Sequence, residues 1–245
     1  MTFSDFLGPD CALFLDFDGT LVDIAARPEA VVVPSGLVDM LTGIRALLDG
    51  AVAVVSGRPI EQLDHFLQPA RLAAAGVHGA ERRRGDGSIA LVEVPDLGAV
   101  IDAAQALTRE HPQLQLEHKR GSLALHYRQA PQLEPLCLAA MQAAVDRTPG
   151  LALLRGKMVL EAKPAAASKG HAIEEFLREA PFTGRRPVFV GDDITDEVGF
   201  SAVQRLGGVG VKVGEGASVA THRLNDPGQV RDGLAQALAA ARVRR

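Results

Sequence analysis

The chain has 245 residues, enough for one large domain or for a core domain that carries a smaller one. Hydrophobic residues make up 47% and charged residues 23%, the balance of a globular protein with a substantial core. A net charge of −4 gives no electrostatic case for binding nucleic acid or an anionic membrane surface.

The first third alternates strands and helices. Cys11-Ala12-Leu13-Phe14-Leu15 has the length and residue types of a buried strand, and it runs into Asp16-Phe17-Asp18-Gly19-Thr20-Leu21. Ser35 suits an N-cap for a helix with Leu37, Leu41, Ile44 and Leu48 on one face. Residues 51–55 form the next strand, ending at Ser56-Gly57-Arg58, and Pro59 opens a helix carrying Ile60, Leu63, Phe66 and Leu67 inward. A short strand at 72–75 leads into Gly76-Val77-His78-Gly79-Ala80-Glu81.

The texture changes near residue 82. Arg82-Arg83-Arg84 reads as a solvated turn in a polar hairpin that extends to Glu93. A helix over about 96–110, strands at 114–119 and 122–128, a helix over 133–147 and strands flanking Arg155-Gly156-Lys157 follow. Hairpins interleaved with two helices suggest a separate α+β module. The alternating pattern returns at Ser168, a helix cap, with strands at 187–190 and 208–213 and an alanine-rich helix over 230–240. The expected organisation is a core built from 1–81 and 166–245 with an inserted α+β cap at 82–165, whose crossings near Glu81 and Pro164 are candidate hinges. Cys11 and Cys137 read as reduced core thiols. No apolar run approaches the roughly 20 residues of a membrane span. No secretion signal is visible at the N-terminus, so a cytoplasmic location is expected.

The polar motifs fall where buried strands end. In an open parallel sheet that is where ligands bind. Asp16 and Asp18 leave the first strand two residues apart, Ser56 follows the second, and Gly191-Asp192-Asp193-Ile194-Thr195-Asp196-Glu197 follows the strand after the insertion. Neighbouring carboxylates at a strand end repel, and a bound cation is the natural remedy. One of them can serve as nucleophile and the other as proton donor and acceptor. Taken singly, each motif also suits a capped turn, a surface lysine or a helix start.

Together the four motifs resemble those of the haloacid dehalogenase-like hydrolases, most of which are magnesium-dependent phosphatases. The resemblance implies a Rossmann-like α/β core with a cap. It implies catalytic roles for Asp16 as nucleophile, Asp18 as acid and base, Ser56 as phosphoryl ligand and Lys169 as neutralising cation. Mg²⁺ would be held by the Asp16 carboxylate, the Asp18 backbone carbonyl and Asp192, with Asp196 supporting and Asp193 open between the two roles.

The remaining motifs resemble those of trehalose-6-phosphate phosphatases: residues 76–81, Glu117-His118-Lys119, His126-Tyr127-Arg128 and Gly156-Lys157-Met158-Val159-Leu160-Glu161. Strand periodicity sets Lys157, Val159 and Glu161 on one side, and likewise His126 with Arg128 and Glu117 with Lys119. From spacing alone an ordinary solvated sheet is the better reading of these faces than a ligand surface, and the resemblance reverses that preference. The resemblance assigns Glu117, Lys119, Arg128, Lys157 and Glu161 to sugar contact, and Gly57, Arg58 and His78 to the substrate near the core. With no Trp and one Tyr, sugar recognition cannot rest on a row of stacking aromatics, which favours charged and polar groups. The implied reaction is hydrolysis of trehalose 6-phosphate, the last step of trehalose biosynthesis, with functional association to a trehalose-phosphate synthase. Sucrose phosphate or a mannosyl-phosphoglycerate is the rival substrate class, and a receiver-like phospho-aspartate module is the rival function.

Overall fold

The computed structural model describes residues 2–25, 27–119, 121–156 and 158–243, leaving aside the side chains of Pro28 and Lys119. The chain divides into two compact units, one made of Met1–Leu91 with Ser168–Arg245 and the other of Val92–Ala167.

The first unit is built on an eight-stranded sheet. In chain order its elements are β1 (Cys11–Leu15), α1 (Leu37–Leu47), β2 (Val52–Val55), α2 (Ile60–Leu67), β3 (Ala73–Gly76), β4 (Glu81–Arg83) and β5 (Ile89–Leu91). In the second unit come α3 (Gly98–Glu110), β6 (Gln115–Lys119), β7 (Ser122–His126), α4 (Glu134–Asp146), β8 (Leu151–Gly156) and β9 (Val159–Pro164). The first unit resumes with α5 (Lys169–Leu177), β10 (Arg186–Gly191), α6 (Glu197–Arg205), β11 (Val209–Val213), β12 (His222–Leu224) and α7 (Pro227–Val243).

The large sheet has the order β12-β11-β10-β1-β2-β3-β4-β5. Every pairing from β12 to β3 is parallel, and β4 and β5 add an antiparallel end. β1, β2 and β11 are buried along their whole length, as strands covered on both faces must be. Phe14, Phe176 and Phe182 cluster against one another with ring centroids 5.0–5.9 Å apart, anchoring α5 to β1.

Several expectations are corrected here. Residues 82–91 pair in the core sheet, so the second unit opens at Val92 and the hairpin expected to begin the cap belongs to the core. Arg82 and Arg83 are no solvated turn: both are buried, Arg82 on Glu179 (2.8 and 3.0 Å) and Arg83 on Asp64 (2.6 Å twice). Ser35 does not cap α1; Gly36 takes that position in a left-handed conformation without a side-chain bond. Ser168 does cap α5, its Oγ accepting from His171 N at 3.1 Å.

The second unit is a four-stranded antiparallel sheet of order β6-β7-β9-β8, with its own core under α3 and α4. Alternation sorts β9: Leu160 and Ala162 are buried in that core, while Val159, Glu161 and Lys163 are half-buried.

Candidate active site

The pairing of β1 with β10 assembles the centre. Their register sets Leu15 beside Val190, and Asp16 N donates to Val190 O at 2.9 Å. Asp16 therefore leaves β1 beside the end of β10, where the acidic loop begins. The strand order runs β10-β1-β2, so the two halves of the chain meet at this crevice, the place where α/β sheets bind ligands.

The ammonium of Lys169, in the first turn of α5, lies 2.8 Å from Asp16 Oδ1 and 2.6 Å from Asp196 Oδ1. All three residues are buried. Asp196 Oδ2 accepts from the backbone nitrogens of Asp192 and Asp193, each at 2.9 Å. Its lone pairs are thus largely occupied, and the residue braces the loop that carries Asp192. Carboxylate oxygens of Asp16, Asp192 and Asp196 lie within 4.8 Å of one another.

Burial drives the Asp16 carboxyl well above its ordinary pKa, against the pull of Lys169. It raises Asp192 to about 6, with Asp196 adding repulsion. Burial alone would lower the Lys169 ammonium, but the charges of Asp16 and Asp196 outweigh it and raise that group. Asp16 and Asp196 thus share one ammonium, with the Asp192 carboxylate close beside them. This deficit of positive charge and a donor set made only of oxygens both fit a hard divalent cation.

Gly19 sits in the turn after β1 at φ +74°, and a Cβ there would run into the Asp192 carboxylate. That turn is closed by Gly19 N on Val22 O (2.8 Å) and by Leu21 N on Phe17 O (2.9 Å). It presents Asp18, whose two carboxylate oxygens are gripped by Arg58 through Nε at 2.6 Å and Nη2 at 2.8 Å. Arg58 is itself nearly buried, stacked over Phe66 at 5.0 Å and reaching Gln62 Oε1 at 3.3 Å. Among the described residues, Asp18 does not contribute a carboxylate to the Asp16 cluster.

Ser56 is buried at the end of β2, and its Oγ accepts from Arg58 N at 3.2 Å. The Ser56–Ile60 turn is stitched to residues 76–81. His78 N donates to Ser56 O and Val77 N to Arg58 O, each at 3.0 Å, and Ile60 N donates to Glu81 Oε1 at 2.6 Å. Glu81 thereby caps α2. Val77 and His78 both hold left-handed conformations, φ 49° and 54°. For a β-branched residue that costs about 1–3 kcal/mol, and these bonds over-determine it. The His78 ring packs on Gly57, where a Cβ would come within 2.7 Å of it.

The remaining site residues lie in the second unit. Glu117 pairs in register with Ala124, and Ala124 with Glu161, so the small side chain of Ala124 separates two carboxylates. Glu117 Oε2 accepts from His126 Nε2 at 2.8 Å, and Ser122 Oγ donates to Glu161 Oε1 at 2.6 Å. Arg128 is exposed in the turn beyond β7, not on the strand face with His126. Lys157 and the Lys119 side chain fall outside the described residues. Two contributors escaped the sequence reading. Glu81 stood within a recognised stretch without a role, and Lys212, which donates to the Asp192 carbonyl, was signalled only by its place inside an apolar strand.

Comparison with known proteins gives the family. The trehalose-phosphatase family model matches residues 14–228. The trehalose-6-phosphate phosphatase of Escherichia coli (strain K12) is 47% identical over 215 residues, covering 87% of this chain and 81% of that protein. A probable trehalose-phosphate phosphatase of Sinorhizobium fredii is 42% identical over 205 residues, 83% and 77% of the two chains. The structure of an Aspergillus fumigatus trehalose-6-phosphate phosphatase superposes with a TM-score of 0.80 at 23% identity, covering 98% of each chain, a likeness of fold. The chain therefore belongs to the trehalose-phosphatase family.

Proposed function

We propose that this protein hydrolyses trehalose 6-phosphate to trehalose and phosphate by way of an aspartyl-phosphate at Asp16. The observation that carries the chemistry is the convergence of Asp16, Lys169 and Asp192 at the ends of paired strands. The substrate rests on the 47% identity to the E. coli enzyme. An Asp16 oxygen attacks phosphorus, the bond from phosphorus to the sugar oxygen breaks, and Asp18 gives that oxygen its proton. Water then attacks phosphorus and passes a proton to Asp18, and the bond from Asp16 to phosphorus breaks to release phosphate.

Lys169 stays within reach of the attacking carboxylate and offsets charge on the phosphoryl oxygens. The Ser56 hydroxyl, accepting from Arg58 N, keeps its own proton to donate to phosphate. Arg58 orients Asp18 and must release at least one of its oxygens for proton transfer. Mg²⁺ would be held by Asp16, the Asp18 carbonyl and Asp192, and would supply charge stabilisation for phosphoryl transfer when bound. Sugar contacts are assigned to Glu117, Lys119, Arg128, Lys157 and Glu161, with Gly57, Arg58 and His78 near the phosphoryl end.

Phosphate release should be measured on trehalose 6-phosphate, sucrose phosphate and glucose 6-phosphate, with Mg²⁺ and with chelator. Fast, Mg²⁺-dependent release from the first alone is expected. Preference for sucrose phosphate would overturn the substrate, and full activity in chelator would overturn the metal.

A further inference from the structure

β11 reads Val209-Gly210-Val211-Lys212-Val213, and every residue in it is buried. An apolar side chain would suit position 212 better than an ammonium, which loses its hydration there and needs compensation. Among the described residues the Lys212 ammonium meets no carboxylate. It donates instead to two backbone carbonyls, that of Asp192 and, at 3.1 Å, that of Val213. The register sets Lys212 beside Gly191, where β10 gives way to the acidic loop.

Asp192 is consequently held at both polar atoms of its backbone. The Asp196 carboxylate takes its N–H at 2.9 Å, and the Lys212 ammonium takes its carbonyl. An anionic acceptor on one side and a cationic donor on the other fix the peptide planes around Asp192, and with them the origin of its side chain. Only five of the chain's 26 Lys and Arg residues are lysine, yet lysine stands here. The ammonium is a compact point charge with rotatable donors, which suits two carbonyls met inside a buried strand.

We propose that Lys212 is a positioning residue for the metal site, pinning the Asp192 backbone so that its carboxylate is set for the cation before the cation arrives. This rests on the Mg²⁺ reading above. Groups that orient metal ligands from behind typically change metal affinity by about 10–100-fold when removed. The test is titration calorimetry of Mg²⁺ into the full chain, comparing wild type with Lys212→Met.

The expected result is Mg²⁺ binding weakened by roughly 10–100-fold, with lost turnover partly recovered at higher Mg²⁺. Lys212→Gln keeps an N–H donor on a shorter stem, should fall between the two, and serves alone if Lys212→Met does not fold. Wild-type Mg²⁺ affinity in either folded variant overturns the proposal alone, even if thermal stability drops, because a merely structural lysine would behave that way. Failure of both variants to fold also overturns it, since a positioning role leaves the sheet intact. If the wild type itself binds no Mg²⁺, the metal reading falls and takes the proposal with it.

Discussion

Asp16 and Asp18 stand two residues apart but in opposite electrostatic settings. Asp16 is buried, faces Lys169 and is raised by desolvation, while Asp18 is part-exposed and gripped by Arg58. Asp16→Asn should abolish turnover, by roughly 10⁴-fold or more, because an amide cannot form the acyl phosphate. Its circular dichroism and Tm should stay close to wild type; substantial residual activity would refute the nucleophile. Arg58→Lys tests the neighbour. A lysine cannot offer the two parallel N–H bonds that aim Asp18, so kcat should fall about tenfold or more with a smaller change in KM. A loss confined to KM would instead make Arg58 a substrate ligand only.

At the scale of elements, buried charge secures the antiparallel end of the core sheet. Arg82, in β4, rests over the Phe176 ring at 4.9 Å and pairs with Glu179, which Arg84 also reaches at 3.1 Å. The hydrogen bonds from Arg82, with the charges of Arg82 and Arg84, hold the Glu179 carboxyl below its ordinary 4.5 despite some burial. A depressed folded pKa contributes stability that is intact at neutral pH and is lost as pH falls from about 4.5 through the folded value. Glu179→Gln should therefore lower Tm near pH 7 and lower it less near pH 3, as differential scanning calorimetry would show. Asp64→Ala strands the buried Arg83 and should cost about 1–3 kcal/mol in urea unfolding, less than for a fully buried pair because Asp64 is part-exposed. These pairings were hidden in the sequence. Arg82 and Glu179 lie 97 residues apart, and a run of three arginines reads as solvated until the fold brings its distant partners in. The candidate catalytic motifs were legible for the opposite reason. A parallel strand buried on both faces must be a continuous apolar run, so polar residues at its end stand out. Lys212 broke that rule inside a strand, and its reason is a contact with the next strand's loop, which no local pattern reveals.

Across the whole molecule, phosphoryl chemistry and sugar recognition are assigned to units with separate cores. Glu161→Ala should cut turnover of trehalose 6-phosphate at least tenfold while sparing a small aryl phosphate, because it removes a proposed sugar contact and no proposed reacting group. Equal losses on both substrates would take Glu161 out of recognition. The second unit was legible as an α+β insertion from its hairpins, but its start was placed ten residues early. Strand β5 is short and carries exposed Ile89 and Leu91, so nothing local marks it as the last strand of the core sheet.

The place of β1 in that sheet governs how the chain can be made. Its neighbours are β2, which follows soon after, and β10, which begins only at Arg186. A nascent chain emerging from the ribosome therefore completes β1 to β5 and the entire second unit while one edge of the wholly apolar β1 still has no partner. Through that interval the future catalytic centre is an open strand edge, the kind of surface that recruits chaperones or a second unfinished copy. The strand pairing that unites Asp16 with Asp192 thus has to wait until β10 has been made.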